Sequence, residues 1–134
     1  KSSKIICDER LITQALTNIY KNGGESITRR FDEIGDDNSK GKISTFVKYS
    51  EEHITISIFD NGTGWPVQDK DRLLEPYVTT RENGTGLGLA IVMRIAEDHG
   101  GKLKLNYRTD NKPGAVVEIS IRKNSAENYI KAII

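Results

Sequence analysis

Two asparagines in the first half of the chain have a spacing that suits a shared ligand. Asn18 and Asn22 are four residues apart in the segment NIYKN, which lies inside a helical hydrophobic pattern. Residues four apart lie on the same side of a helix. Amide oxygens suit a hard cation such as Mg²⁺, which prefers oxygen ligands and keeps several waters. The alternative is that both amides are ordinary solvated side chains, and the spacing alone leaves both interpretations open.

A carboxylate at the end of a strand pattern is the second feature. Asp60 follows HITISIF and is in phase with Ile54, Ile56 and Ile58, so its side chain is predicted to point toward the core. A buried carboxylate without a hydrogen-bond donor is costly. A base with an exocyclic amino group, such as adenine, would supply a donor. The alternative is that the Asn-Gly pair of the following segment, DNGTG, is an ordinary turn.

A glycine-rich segment, GTGLGL, opens the second helical pattern at residue 84. Amides at a helix N-terminus favour phosphate, and glycine lets the backbone approach a ligand closely. Thr79, Thr80 and Arg81 lie just upstream and could add hydroxyl and cationic donors for a polyphosphate. The spacing is not that of a dinucleotide-binding fingerprint, and the sequence contains no Gly-Lys-Ser/Thr of a P-loop. For Arg81 alone, the alternative is an exposed loop charge.

Length and composition predict one globular domain and exclude several classes. The chain has 134 residues, of which 36% are hydrophobic, and a net charge of +1, so no global field attracts nucleic acid or an anionic membrane. One cysteine excludes an internal disulfide, and two histidines make a structural zinc centre unexpected. No apolar run approaches the ~18 residues of a membrane span. Because the sequence begins with Lys1, we expect it to be part of a longer protein.

The hydrophobic periodicity divides the chain into helices and strands. It predicts helices over residues 9–34 and 86–99 and strands over residues 4–7, 43–49, 53–60, 102–108 and 115–121. Asp8 is predicted to be the first N-cap. A long irregular loop, with a helical turn near residues 69–74, separates the second pair of strands from the first. This order predicts an α+β two-layer sandwich, with helices on one face of a mainly antiparallel sheet.

Together, these segments resemble a known family. They are similar to the ATP-binding domain shared by gyrase, heat-shock chaperones of the ninety-kilodalton class, histidine kinases and MutL. NIYKN resembles the N box, DNGTG the first glycine box (D-x-G-x-G) and GTGLGL the second. RLLEPYVTTR resembles the stretch that precedes the second glycine box in sensor histidine kinases. EPYVTTRENGTGLGLAIV followed by EDHGG is most similar to the nitrogen-regulation kinases of the NtrY type, and the resemblance runs from residue 5 to about residue 121.

The resemblance implies a Bergerat-type sandwich with a mainly antiparallel mixed sheet and a mobile ATP lid at residues 65–85. It implies that Asn22 holds Mg²⁺, that Asn18 lies beside the phosphates and that Asp60 accepts from the adenine amino group. Asn18, Asn22 and Arg81 would be the catalytic residues. The other ATP-binding positions that it implies are Gly62, Gly64, Thr79, Thr80, Arg81, Gly84, Thr85, Gly86, Leu87 and Gly88.

The activity that the resemblance implies is that of a sensor histidine kinase. Residues 1–123 would be its catalytic domain, which positions Mg-ATP for transfer to a histidine on a separate dimerisation domain of the same kinase. Residues 124–134 could be a short helix or a frayed tail. A response regulator would be an indirect partner and nucleic acid none. The fragment would be monomeric by itself, as the cytoplasmic part of a membrane-anchored kinase. Neither His53 nor His99 lies in a pattern typical of the phosphate acceptor.

Two further features bear on which function within the family this chain has. Asn18 stands where the gyrase and chaperone branches carry a glutamate, and an amide cannot act as a general base for hydrolysis. This disfavours a hydrolytic ATPase. Glu25 and Ser26 stand where many kinases have a lysine and an aromatic residue. They leave a second hypothesis, a degenerate module that responds to nucleotide and binds partners without phosphotransfer.

Overall fold

Helices cover one face of a four-stranded sheet in this chain. The computed structural model describes residues 5–35, 40–65, 70–75 and 88–123. Its elements in chain order are α1 (Glu9–Glu33), β1 (Ile43–Tyr49), β2 (His53–Asp60), a short 3₁₀ helix (Lys70–Leu74), α2 (Gly88–Asp98), β3 (Leu103–Tyr107) and β4 (Ala115–Arg122). This α+β arrangement agrees with the sequence prediction. Within the described residues, no helix combines the length and the apolar character that crossing a membrane requires.

The first helix begins at the predicted cap and packs against the core through one stripe of its surface. The Oδ1 atom of Asp8 accepts hydrogen bonds from the N–H groups of Arg10 and Leu11, at 3.0 and 3.2 Å, which satisfies two free donors of the first turn. Every third or fourth residue of the helix then meets the core. The buried positions of α1 are Ala15, Ile19, Gly23, Ile27 and Phe31.

The sheet has the order β1-β2-β4-β3, and every pairing among the described strands is antiparallel. This agrees with the expected mainly antiparallel sheet, and no parallel pair occurs among the described strands. β2 and β3 run parallel to each other, joined through α2, but β4 is inserted between them, so the two parallel strands are not neighbours. The helix-facing side carries alternate apolar residues, including Ile58, Val117 and Leu105, which form one core with both helices.

The first predicted strand is not a strand. Ile5, Ile6 and Cys7 make no strand pairing, and Lys4 lies outside the described residues. The segment instead enters the cap of α1, where the N–H of Asp8 donates to Nε2 of His99 at 3.0 Å.

His99 joins the end of α2 to the beginning of α1. Because Nε2 accepts from Asp8, the proton of the neutral ring lies on Nδ1, which donates to the carbonyl of Ile95 at 2.8 Å. The ring is 8% exposed. Both ring nitrogens therefore have structural partners, as expected for a histidine without a phosphate-acceptor role.

Replacing His99 by leucine is expected to destabilise the fold by about 1–3 kcal/mol, because the N–H of Asp8 loses its acceptor in a partly buried place. Urea unfolding followed by circular dichroism measures this loss. The matched control is His53→Leu. His53 makes a single, more exposed contact to the carbonyl of Gly100, at 3.3 Å. Equal losses for the two variants would contradict the assigned role of His99.

Candidate functional site

A buried carboxylate lies at the end of β2. Asp60 is 6% exposed, on the same side of the sheet as Ile54 and Ile58, as the strand phase predicts. Its Oδ1 accepts from the N–H groups of Gly62 and Ala115, at 2.9 and 3.3 Å. Among the described residues no donor reaches Oδ2. In that part of the chain, every fully buried side-chain oxygen or nitrogen has a hydrogen-bond partner. Since Oδ2 has none, it is not fully buried. It is therefore in contact with solvent and available to a ligand.

The environment of Asp60 disfavours its charged form. Burial raises the pKa of this carboxyl above its ordinary value, although the hydrogen bonds from Gly62 and Ala115 and the charge of Arg108 oppose the shift. A desolvated carboxylate gains more from an additional donor than an exposed one does. A ligand that offers an N–H group to Oδ2 would therefore be bound favourably at this point.

Arg108 fixes the backbone at the same strand end. Its Nη1 donates to the carbonyl oxygen of Asp60 at 3.0 Å. Asp110 holds the guanidinium through two further hydrogen bonds, Nη2 to Oδ2 at 2.7 Å and Nε to Oδ1 at 3.1 Å. This contact lowers the pKa of Asp110 to about 2, so the pair stays ionised at neutral pH. Sequence reasoning missed Arg108, because nothing in its local pattern points to a residue that lies 48 positions away.

The segment after Asp60 packs directly on the second half of α1. The N–H of Thr63 donates to Oγ of Ser26 at 2.9 Å, and the two hydroxyls share a hydrogen bond at 3.1 Å. Nη1 of Arg30 donates to the carbonyl of Asn61 at 2.6 Å. A Cβ atom on Gly62 would collide with the side chain and backbone of Ser26. Glycine is thus required at position 62 for close packing on the helix. The DNGTG motif did not reveal this requirement.

Two glycines near the site have backbone angles that other residues rarely adopt. Gly64 has φ of 80° and Gly114 has φ of 131°, both in the region that favours glycine. A Cβ on Gly114 would also overlap the carbonyl oxygen of Asp60. The β3–β4 turn therefore lies against the strand end through Gly114.

The two asparagines lie on α1 beside this strand end. Gly23, which follows Asn22, is so close to β2 that an added Cβ would lie 3.6 Å from Cβ of Asp60. Nδ2 of Asn18 lies 3.5 Å from the carbonyl of Gly88, the first residue of α2. Within the described residues the amide of Asn22 makes no hydrogen bond. The helix thus places Asn18 at the start of α2, and Asn22 lies one turn further along α1, next to the residue that packs on the end of β2.

The other predicted site residues lie outside the described part of the chain. These are Thr79, Thr80, Arg81, Gly84, Thr85, Gly86 and Leu87, so their roles stay predictions. Most of the predicted lid lies outside it as well. Trp65, its first residue, is described. Its Nε1 donates to the carbonyl of Asn106 at 2.8 Å, which holds the start of the segment against β3.

Comparisons with known proteins agree with the motifs. Residues 7–125 match the family described as histidine kinase-, DNA gyrase B-, and HSP90-like ATPase. The nitrogen regulation protein NtrY of Azorhizobium caulinodans is 46% identical over 86% of the chain, which covers 14% of that protein. A putative NtrY-like sensor histidine kinase of Rickettsia bellii is 38% identical over 93% of the chain, which covers 19% of it. The chain therefore spans less than a fifth of either relative.

A solved structure extends the similarity to the fold. The catalytic domain of histidine kinase ThkA superposes with a TM-score of 0.73 and 30% identity, over 90% of this chain and 73% of that one. The two-layer architecture described above is thus the architecture of a histidine kinase catalytic domain.

The raised pKa of Asp60 predicts how stability depends on pH. The folded protein holds the Asp60 proton to a higher pH than the unfolded chain, so ionisation costs the fold stability as pH rises above about 3.8. Asp60→Asn removes this cost, and its Oδ1 can accept the same two hydrogen bonds. We expect the variant to be at least as stable as the wild type at pH 7, with the difference shrinking as pH falls to 4. Urea unfolding across this range measures the effect. If Asp60→Asn were less stable than the wild type, by an amount that grows with pH, this prediction would be contradicted.

Proposed function

The chain belongs to the family of histidine kinase-, DNA gyrase B- and HSP90-like ATPases, and we propose that it is the catalytic domain of an NtrY-type sensor histidine kinase. It binds Mg-ATP and presents the γ-phosphoryl group to a histidine on a separate dimerisation domain of the same kinase. The domain would comprise residues 1–123, as a cytoplasmic part of a membrane-anchored protein. Its relatives named for nitrogen regulation support the subfamily. A response regulator would receive the phosphoryl group afterwards.

The observation that carries this proposal is the carboxylate at the end of β2. Oδ1 of Asp60 is satisfied by two backbone N–H groups, and Oδ2 remains for a ligand. The 6-amino group of adenine is an N–H donor, whereas guanine has a carbonyl oxygen at the same position. The site therefore favours ATP over GTP, because a carboxylate facing a carbonyl would place two acceptors together.

Asn18 and Asn22 have roles that follow from their place on α1. Asn22, whose amide makes no hydrogen bond among the described residues, would contribute an oxygen to the Mg²⁺ that accompanies ATP. Asn18, close to the carbonyl of Gly88, would lie beside the phosphates at the entry of α2. The amides of residues 84–88 and the side chains of Thr79, Thr80 and Arg81 would complete the phosphate site. Such groups position the γ-phosphoryl group and neutralise its charge.

The residue types favour phosphoryl transfer to a protein over hydrolysis. Activation of water needs a general base, and the amide of Asn18 cannot accept a proton at neutral pH. His99 is occupied by Asp8 and Ile95, so it is unsuited to receive a phosphoryl group. The acceptor histidine would then lie on the dimerisation domain.

Calorimetry with ATP and GTP tests the adenine site. The wild type should bind ATP, more tightly with Mg²⁺, and should bind GTP at least tenfold more weakly. Asp60→Asn should lose at least tenfold in ATP affinity, because a hydrogen bond to a charged group is worth about 1.5–3 kcal/mol. The variant should also have a smaller ratio of ATP affinity to GTP affinity, since the new amide can donate to the carbonyl oxygen of guanine. The control is Asp98→Asn, which removes an exposed carboxylate that pairs with Arg94. Unchanged ATP binding in Asp60→Asn would contradict the assigned site.

Turnover distinguishes the kinase from the two other functions. We expect the chain by itself to bind ATP without releasing phosphate and without labelling itself from [γ-³²P]ATP. Addition of the dimerisation domain of the same kinase should yield an acid-labile phosphohistidine on that domain. Binding without transfer in either mixture would favour the degenerate interaction module. Steady phosphate release by the chain alone would favour a hydrolytic ATPase.

A further inference from the structure

Part of the helix-facing side of β1 is left uncovered. Val47 and Tyr49 are 48% and 50% exposed, although they pair with Ile56 and Ile54 of β2. Residues directly opposite each other in an antiparallel pair point to the same side of the sheet. Ile54 is buried on that side. Val47 and Tyr49 are therefore core-side positions that the two helices do not reach.

The helix α1 covers β1 as far as Thr45. Oγ1 of Thr45 shares a 2.6 Å hydrogen bond with Oη of Tyr20, and Tyr20 is itself 38% exposed. Beyond this contact, neither helix of the described residues covers Val47 or Tyr49. We refer to Tyr20, Val47 and Tyr49 as the β1 patch.

β4 ends close to this patch. β4 ends at Arg122, and the N–H of Lys123 donates to the carbonyl of Glu52 at 2.6 Å, in the β1–β2 connection. Nζ of Lys123 lies 5.5 Å from the centre of the Tyr49 ring. The residues after Lys123 therefore start beside Tyr49, on the side of the sheet that carries the patch.

The sequence of residues 124–134, NSAENYIKAII, has the pattern of one apolar helix side. Five of its six apolar residues are spaced by three and four, namely Ala126, Tyr129, Ile130, Ile133 and Ile134, and the sixth is the small Ala132. Ten residues of helix are about 15 Å long, and the stretch of strand from Tyr49 back to Thr45 is about 14 Å long. The segment thus matches the uncovered length of β1.

We propose that residues 124–134 form an amphipathic helix that packs its apolar side on the β1 patch of the same chain. It covers the part of the helix-facing layer that α1 and α2 leave open. The opposite side of β1 differs, because exposed Phe46 has an edge-on contact with Phe59, at 5.5 Å between ring centres. The proposal does not depend on nucleotide binding.

A spin label tests the position of the segment. The protein carries Cys7→Ser and Lys131→Cys, with a nitroxide on the new thiol and ¹³C-labelled valine methyl groups. We expect strong broadening of the Val47 methyls and little of the Val116 methyls, because Val116 pairs with Phe59 on the other side of the sheet. Equal broadening, or none at Val47, would overturn the proposal. The control is a mixture of two samples, a spin-labelled chain without ¹³C and a ¹³C-labelled chain without the nitroxide. Broadening of the Val47 methyls in this mixture would show that a second copy of the chain covers the patch.

Stability measurements test the contact without a label. Val47→Ser should lower the urea midpoint in the 134-residue chain and leave it unchanged in a chain that ends at Lys123. Phe46→Ser, its neighbour on the opposite side of β1, should have the same effect in both lengths. Ile130→Ser should abolish the cost of Val47→Ser, whereas Asn128→Ser should preserve it. An equal midpoint shift for Val47→Ser in both lengths would mean that residues 124–134 do not pack there.

Discussion

The desolvated carboxylate of Asp60 is the constraint on which this end of the molecule depends. A charge in that place needs donors, and two come from backbone N–H groups that are far apart in sequence, those of Gly62 and Ala115. Arg108 adds a bond to the carbonyl of the same residue. The strand end, the loop after it and the β3–β4 turn are therefore held in one arrangement. One carboxylate oxygen stays available, and that oxygen gives the site its chemistry.

The helix α1 serves the fold and the site with different sides. Its apolar stripe belongs to the core that it forms with α2 and the sheet. Ser26 and Arg30 bind the loop after β2, while Asn18 lies at the start of α2 and Asn22 one turn further along α1. A shift of the helix along the sheet would therefore displace the loop and the amides together. Under the proposed function, affinity for nucleotide would therefore depend on how this helix packs on the core.

Most of the architecture follows from local pattern. The alternation of His53–Asp60 fixed the strand, its buried side and the inward direction of the carboxylate, because side chains alternate strictly along a strand. The spacing of three and four in Glu9–Glu33 fixed the helix and its buried stripe, and Asp8 marked its beginning. The strand expected over residues 4–7 is absent from residues 5–7, because pairing needs a partner edge and this segment instead leads into the cap of α1.

By itself the sequence determined the elements, the side of each that is buried and the motif residues that suggest an ATP site. Only the tertiary structure decided the order of the strands, with β4 between β2 and β3, and the residues that complete the surroundings of Asp60. Ser26, Arg108 and Gly114 have no local signature. Their contacts join positions far apart in sequence, and such contacts depend on how the layers pack. Periodicity reports the burial of a residue within its own element, whereas its partner across the fold is set by the packing of all elements together.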